Sequence, residues 1–204
     1  MSSSNASPRS IGRPRGFDRD EVLLKVVEVF WRLGYNETSY RELEAATGEG
    51  RQSLVHAFGD KAAMFELALR RYIDSRVNEV IEMLRGSGTA SQRVRRVFAR
   101  WEADARADDH RGCLLINTGG EIGPKNAAIA AVMADSTRHL VSEFAKTFQQ
   151  AMDAGEMDQS LSAKSLARLT VAAGDGALLH SRVSGNAAST KQTLLTLRTL
   201  LFGS

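Results

Sequence analysis

A chain of 204 residues suits one large domain, or a small head on a medium body. With 43% hydrophobic and 25% charged residues it has ordinary globular chemistry, which excludes a disordered chain. The formal net charge of +3 is no basis for a nucleic-acid partner, because residues 1–62 hold nine Lys/Arg against nine Asp/Glu.

Single residue types narrow the class further. One cysteine, Cys113, excludes an intramolecular disulfide framework and an all-Cys metal cage. No apolar run approaches the ~18 residues needed to cross a bilayer. The first residues lack an apolar signal region. The expectation is a soluble, cytoplasmic protein with no membrane partner.

Residues 1–16 are rich in Ser, Gly, Pro and Arg and read as a flexible basic arm, carrying Arg9, Arg13 and Arg15 with no acid. Order begins at Asp18, an N-cap with Glu21 as capping-box partner and Phe17 and Val22 as a hydrophobic staple. Val22, Leu23, Val26, Val27 and Phe30 repeat at helical spacing until Gly34 ends the helix. A second capping box, Ser39 with Glu42, opens a short helix that stops at Gly48. A third helix runs from Arg51 to about Phe58, and Asp60 caps a long fourth helix reaching Gly86.

Beyond it, residues 92–107 form a helix, and the apolar segment 112–116 precedes a glycine break at 119–123. Pro124 suits the first turn of a long helix to Met152, and residues 161–183 and 189–202 give two closing helices. The chain reads as all-α, with about nine helices and no alternating strand pattern. Three segments result: an arm (1–16), a three-helix head (17–62) and a helical-bundle body (63–204).

The second and third helices, joined by a Gly-containing turn, form a helix-turn-helix. Leu43, Ala46, Leu54 and Phe58 are expected to bury against the first helix, turning Arg51, Gln52, Ser53 and His56 outward. Gln pairs bidentately with adenine and Arg with guanine, so both suit base reading. An αα-hairpin with a solvated polar face has the same spacing.

Phe17-Asp18, Phe30-Trp31, Gly34-Tyr35, Thr38-Ser39, Thr47-Gly48, Ser53-Leu54 and Ala57-Phe58-Gly59-Asp60-Lys61 resemble, in order and spacing, the TetR/AcrR family of transcriptional repressors. The opening Gly12-Arg13-Pro14-Arg15 is also similar, and the resemblance covers about residues 12–68. It implies a homodimeric repressor of a palindromic double-stranded DNA operator, released by a small-molecule effector held in the C-terminal body. On the positions that match, it puts groove contacts on Arg51, Gln52 and His56 and phosphate contacts on Ser39, Tyr40 and Lys61. Arg13 and Arg15 would enter a minor groove. Two positions depart from the pattern: Val55 stands where the family usually has Tyr, and Glu49 where it usually has a hydrophobic residue.

In the body, 111–117 resembles a sub-group of the family in which some members sense electrophiles or oxidants through a cysteine at this place. A thiol at a helix N-terminus beside Arg111 is expected to have a lowered pKa. The alternative is a buried Cys113 that packs as a small hydrophobe. His110 with Cys113 supplies too few ligands for a metal, and no cofactor is expected. Candidate effector-pocket residues are Phe98, Trp101, Cys113, Asn117, Phe144, Phe148, Asp175 and His180, with core packing the competing reading for the aromatics. Small and apolar residues over 161–202 suit a four-helix dimer seam, or an intrachain core.

Two further classes compete. No Gly-rich phosphate loop after a strand, HExxH or Gly-x-Ser-x-Gly motif occurs, so an enzyme would rest on Cys113 with His110 or His180. A helical adaptor that does not bind DNA would require Glu49 and Val55 to have disabled the head.

Overall fold

The computed structural model describes residues 18–107 and 110–203, and every regular element among them is helical. The arm with Arg13 and Arg15, and Phe17 of the expected staple, lie outside the described residues. In α1 (Arg19–Glu37) the Asp18 carboxylate accepts from the N–H groups of Asp20 and Glu21. Glu21 does not close the box; its carboxylate pairs with Lys25 one turn on, at 3.0 Å. Gly34, at φ 84°, breaks the helical path, and one further turn carries the chain to Glu37.

Helix α2 (Tyr40–Thr47) has both hydrogen bonds of the Ser39–Glu42 capping box and ends on left-handed Gly48. Helix α3 (Arg51–Phe58) comes next. Leu43, Leu54 and Phe58 are buried against α1, but Ala46 is exposed, contrary to expectation. Thr47 takes that inward place, because its hydroxyl donates to the Leu43 carbonyl at 2.7 Å and leaves no polar group unsatisfied.

Helix α4 (Lys61–Tyr72), capped by Asp60, runs through a π-helical turn (Ile73–Val77) into α5 (Asn78–Arg85). A π turn inserts one residue and rotates the remainder of the rod by about 100°. Phe65, Leu69 and Tyr72 pack in the cluster that includes the head; beyond the turn α5 serves both, with Ile81 in that cluster and Val80 and Leu84 in the one formed by the body helices. Counted as one rod, 61–85 brings the described residues to nine α-helices.

The body continues with α6 (Ala90–Arg106), α7 (Leu114–Ile122), a 3₁₀ turn (Gly123–Lys125), α8 (Ala127–Asp153), α9 (Ala163–Ser184) and α10 (Ala188–Phe202). The glycine break is corrected: α7 passes through Gly119 and Gly120. Gly119 marks a close approach of α7 to α8, since a Cβ there would stand 2.7 Å from the Met133 methyl. Pro124 sits in the 3₁₀ turn, and α8 starts later because Asn126 accepts from the N–H groups of Ala128 and Ile129.

Two apolar clusters hold the molecule. One joins α1–α4 to α7 and the start of α8 through Phe30, Leu54, Phe65, Leu114 and Ile122. The other joins α5, α6, α8, α9 and α10 through Phe98, Phe144, Phe148, Val171 and Leu197. Burying side chains of this size contributes about 1.5–3 kcal/mol each.

Candidate DNA face, body cavity and the link between them

Burial of Leu54 and Phe58 fixes the rotation of α3 and leaves Arg51, Gln52, Ser53, Val55 and His56 exposed on its free face. Gly50, the N-cap, has no side chain to offer, and the Glu44 carboxylate of α2 accepts the Arg51 N–H instead, at 2.6 Å. That acid was not singled out from the sequence, since its role depends on the angle between two helices. The Arg51 guanidinium rests 4.4 Å over the half-buried Tyr40 ring. The Ser39 hydroxyl is engaged with Glu42. Lys61 donates to the Asn36 carbonyl and lies 4.7 Å over Tyr35, with burial lowering its pKa. Glu49 is half-buried, with its N–H bonded to the Thr47 hydroxyl rather than standing out on the α3 face.

The body holds a partly open cavity of about 60 Å³ between the π turn, α6, the start of α7, α8 and α9. Of the expected pocket residues it gathers Trp101, Cys113 and Asp175. The other five are not brought to it. Phe98, Phe144 and Phe148 are core side chains, filling the space between α6, α8 and α10. Asn117 turns back to the Arg111 carbonyl, at 2.5 Å, and His180 stands exposed on the far face of α9. Tyr72, Arg76 and Ser136 were missed; the first two read as part of a long core helix, and Ser136 as an ordinary polar residue of α8. A larger groove of about 620 Å³ at the head–body junction is open to solvent and edged by charged side chains of α1 and α4.

Charge in the cavity is uneven. Asp104 is bonded by Arg100 and lies 3.9 Å from Arg76, whose guanidinium also covers Trp31. Asp175 makes no hydrogen bond or ion pair with the described residues, and burial alone pushes its carboxyl up to about 7. Cys113, the N-cap of α7, is also pushed up, chiefly by burial and then by Asp175; N–H groups of the first turn only partly offset this. The expected lowering of the thiol pKa is therefore overturned. Arg111 does not face the sulfur: its guanidinium stacks 4.7 Å over Trp31 and pairs with Glu28. Among the described residues no three His, Cys, Asp or Glu side chains converge on a point that could hold a metal.

Polar contacts made by Trp31, Arg182 and Glu121 tie the head to the segments that wall the cavity. The Trp31 indole N–H donates to the Gly112 carbonyl at 2.9 Å, in a buried bond. Arg182 of α9 donates to the carbonyls of Trp31, Arg32 and Arg111. Glu121 of α7 accepts the N–H groups of Tyr35 and Asn36, both at 2.9 Å, just past the break at Gly34. A charged residue amid small or apolar ones was the available signal for Glu121 and Arg182, and neither was singled out.

A helix-turn-helix head with a solvated polar face, locked onto a helical body with an internal cavity, defines a helix-turn-helix regulator. Residues 90–197 match the family model described as "Tetracyclin repressor-like, C-terminal domain". The chain is 30% identical over 150 residues to the uncharacterized HTH-type transcriptional regulator YezE of Bacillus subtilis, covering 72% of this chain and 77% of that protein. It is 31% identical over 150 residues to the HTH-type transcriptional repressor ComR of Escherichia coli, covering 72% and 70%. A cysteine mutant of the TetR family regulator CifR, solved in complex with 26-base-pair operator DNA, shares the fold. Its TM-score is 0.82 at 22% identity, over 93% of this chain and 100% of that one. The chain belongs to the TetR family of transcriptional regulators. No helix among the described residues is long and apolar enough to cross a membrane.

Proposed function

We propose that this chain is a homodimeric, cytoplasmic repressor that holds a palindromic operator through α3 and releases it when a small molecule enters the body cavity. The carrying observation is the exposed face of α3, whose five outward side chains include a guanidinium and an amide able to pair with base edges. Residues 17–62 read DNA in this view, and 63–204 sense the effector and dimerise. Ser39, Tyr40 and Lys61 flank α3 as phosphate contacts, and Arg13 and Arg15 of the arm take the minor groove. Val55 offers a methyl contact to thymine, and no covalent chemistry is required of any residue.

The dimer seam is the outward face of α9 and α10. Leu169, Ala173, Gly176, His180 and Val183 recur at spacings of four and three along α9, with Ser189, Thr193 and Leu200 beside them on α10. Two recognition helices then lie about 34 Å apart, one DNA turn. An effector that prefers a different head spacing weakens DNA binding, and DNA weakens effector binding by the same factor. Trp31, Arg182 and Glu121 carry the change from the cavity walls to α1.

The reading is tested by selecting bound duplexes from a random pool and measuring affinity for the selected site. Gln52→Ala and Arg51→Ala are each expected to cost about 1–3 kcal/mol on that site and little on random DNA. Failure to enrich any duplex even at low salt would overturn it, since phosphate contacts strengthen steeply as salt falls.

A further inference from the structure

Among the described residues Arg76 is the cation that lines the cavity, and it pairs with Asp104 rather than with Asp175. Asp175 lines the cavity from α9 with no hydrogen-bond or ion-pair partner among the described residues, and desolvation by burial raises its pKa. Arg76 lies 3.9 Å from Asp104 and covers Trp31, and Arg100 bonds Asp104 and pairs with Glu79. A second polar group is also unanswered. Ser136, only 8% exposed, lines the same cavity from α8, and its Oγ is buried with no hydrogen-bond partner. A buried polar atom without a partner is uncommon in native folds, and Ser136 Oγ beside the half-buried, unpaired Asp175 carboxylate on one cavity points to a ligand that satisfies both. The remaining lining includes the Arg76–Asp104 pair and Thr137, and is otherwise mainly apolar or aromatic, with Trp101, Leu115 and Val171 able to cover a hydrocarbon body.

We propose that the molecule filling this cavity is a small organic cation, an ammonium group on an apolar body. Its charge sits on the Asp175 carboxylate, one of its N–H groups donates to Ser136 Oγ, and its hydrocarbon part lies on Trp101. The inference rests on reading the cavity as the effector site. Size sets the class: about 60 Å³ has room for roughly five non-hydrogen atoms at water spacing, the size of a short alkylamine. An anion would meet the unpaired Asp175 carboxylate, while the lining guanidinium, Arg76, is already paired with Asp104.

n-Butylamine is the probe, with n-butanol and butyrate as uncharged and anionic counterparts of nearly the same shape. Binding is read on the whole protein by Trp fluorescence and by the shift of the melting midpoint, without DNA. The expected result is butylamine at least about tenfold tighter than butanol, the worth of a charge-assisted hydrogen bond, with butyrate weakest. Asp175→Asn keeps the shape and is expected to bind amine and alcohol alike, and Ser136→Ala to lose roughly threefold for the amine. The proposal is overturned if butanol or butyrate matches the amine on the wild type, if Asp175→Asn keeps the amine's advantage over butanol, or if millimolar amine does not bind the wild type. Affinity for the selected operator is measured separately. If the amine binds through Asp175 but leaves the operator unaffected, the cation site stands and the effector reading falls. If only a neutral or anionic compound releases the operator, the effector reading stands and the cation site falls.

Discussion

Asp175 sits in an environment that pushes its carboxyl far from its ordinary value, and the departure shapes how stability varies with pH. Its folded pKa of about 7 lies above the ordinary 3.8, so between these values the folded state binds the extra proton. Stability therefore falls as pH rises through that window, by up to about 4 kcal/mol once both states are ionised. Asp175→Asn should melt well above the wild type at pH 8 and converge with it below pH 4. Unfolding curves across that range check this, and equal offsets at both ends would sink it. Cys113 gives a companion test, because burial and the nearby Asp175 hold its thiol protonated at neutral pH. We expect alkylation by iodoacetamide at pH 7 to be slower than for a free thiol, and Cys113→Ser to keep the wild-type response of operator affinity to a reversible ligand. Release of wild type alone by a thiol alkylator would contradict both. At this scale the sequence was informative where spacing fixes direction, as with Arg51, Gln52 and His56 against Leu54 and Phe58. It misled at Cys113, because adjacency to Arg111 in the chain says nothing of where a long guanidinium turns; this one turns to Trp31 and Glu28.

Among the helices, two glycines set how the elements meet. Gly34 has φ 84°, and a Cβ there would come 2.5 Å from Glu121 Oε1, the carboxylate that caps the Tyr35 and Asn36 N–H groups. Gly34→Ala carries the left-handed penalty of about 1–2 kcal/mol and also pushes Glu121 off its donors. We expect a lowered melting midpoint together with a weaker effect of any cavity ligand on operator affinity; Glu121→Gln should show the second effect with less of the first. An unchanged ligand response in both variants would show that the link is packing alone. Gly174 plays the corresponding part in the body, where a Cβ would stand 2.4 Å from the Trp101 ring. Gly174→Ala should drive that indole toward the cavity, cost about 1–3 kcal/mol and weaken ligand binding, read by Trp fluorescence. Helix starts were legible because caps are local: Asp18, Ser39 and Asp60 all cap as their spacing implies. The π turn was not, because its rotation serves two cores that meet only in three dimensions. The glycines of α7 misled for a related reason: in a chain they read as a break, in the fold they admit Met133.

For the whole molecule, the proposed pairing with a second copy rests on the outward face of α9 and α10. Val183 and Leu200 are 80% and 76% exposed in the protomer, and Leu169 is 53% exposed, all on the outward face of α9 and α10. Scattered apolar residues on a surface need no explanation, but a stripe at helical spacing, interleaved with Ala173 and Gly176, is the pattern that lets two helices approach closely. A Cβ added at Gly176 would meet nothing within 4 Å, so no packing inside the protomer requires a glycine there. Val183→Glu with Leu200→Glu places like charges across a two-fold interface and leaves both protomer cores untouched. Light scattering should then report a monomer of normal helix content, because neither side chain contributes to folding the single chain. Operator affinity should fall by about 10² to 10⁴, since each head then binds its half-site without the effective concentration that the dimer supplies. Affinity for a single half-site should be unchanged, which separates loss of pairing from damage to the head. A dimer that persists in the double variant would move the seam to another face, and the spacing of two recognition helices would have to be derived again from there.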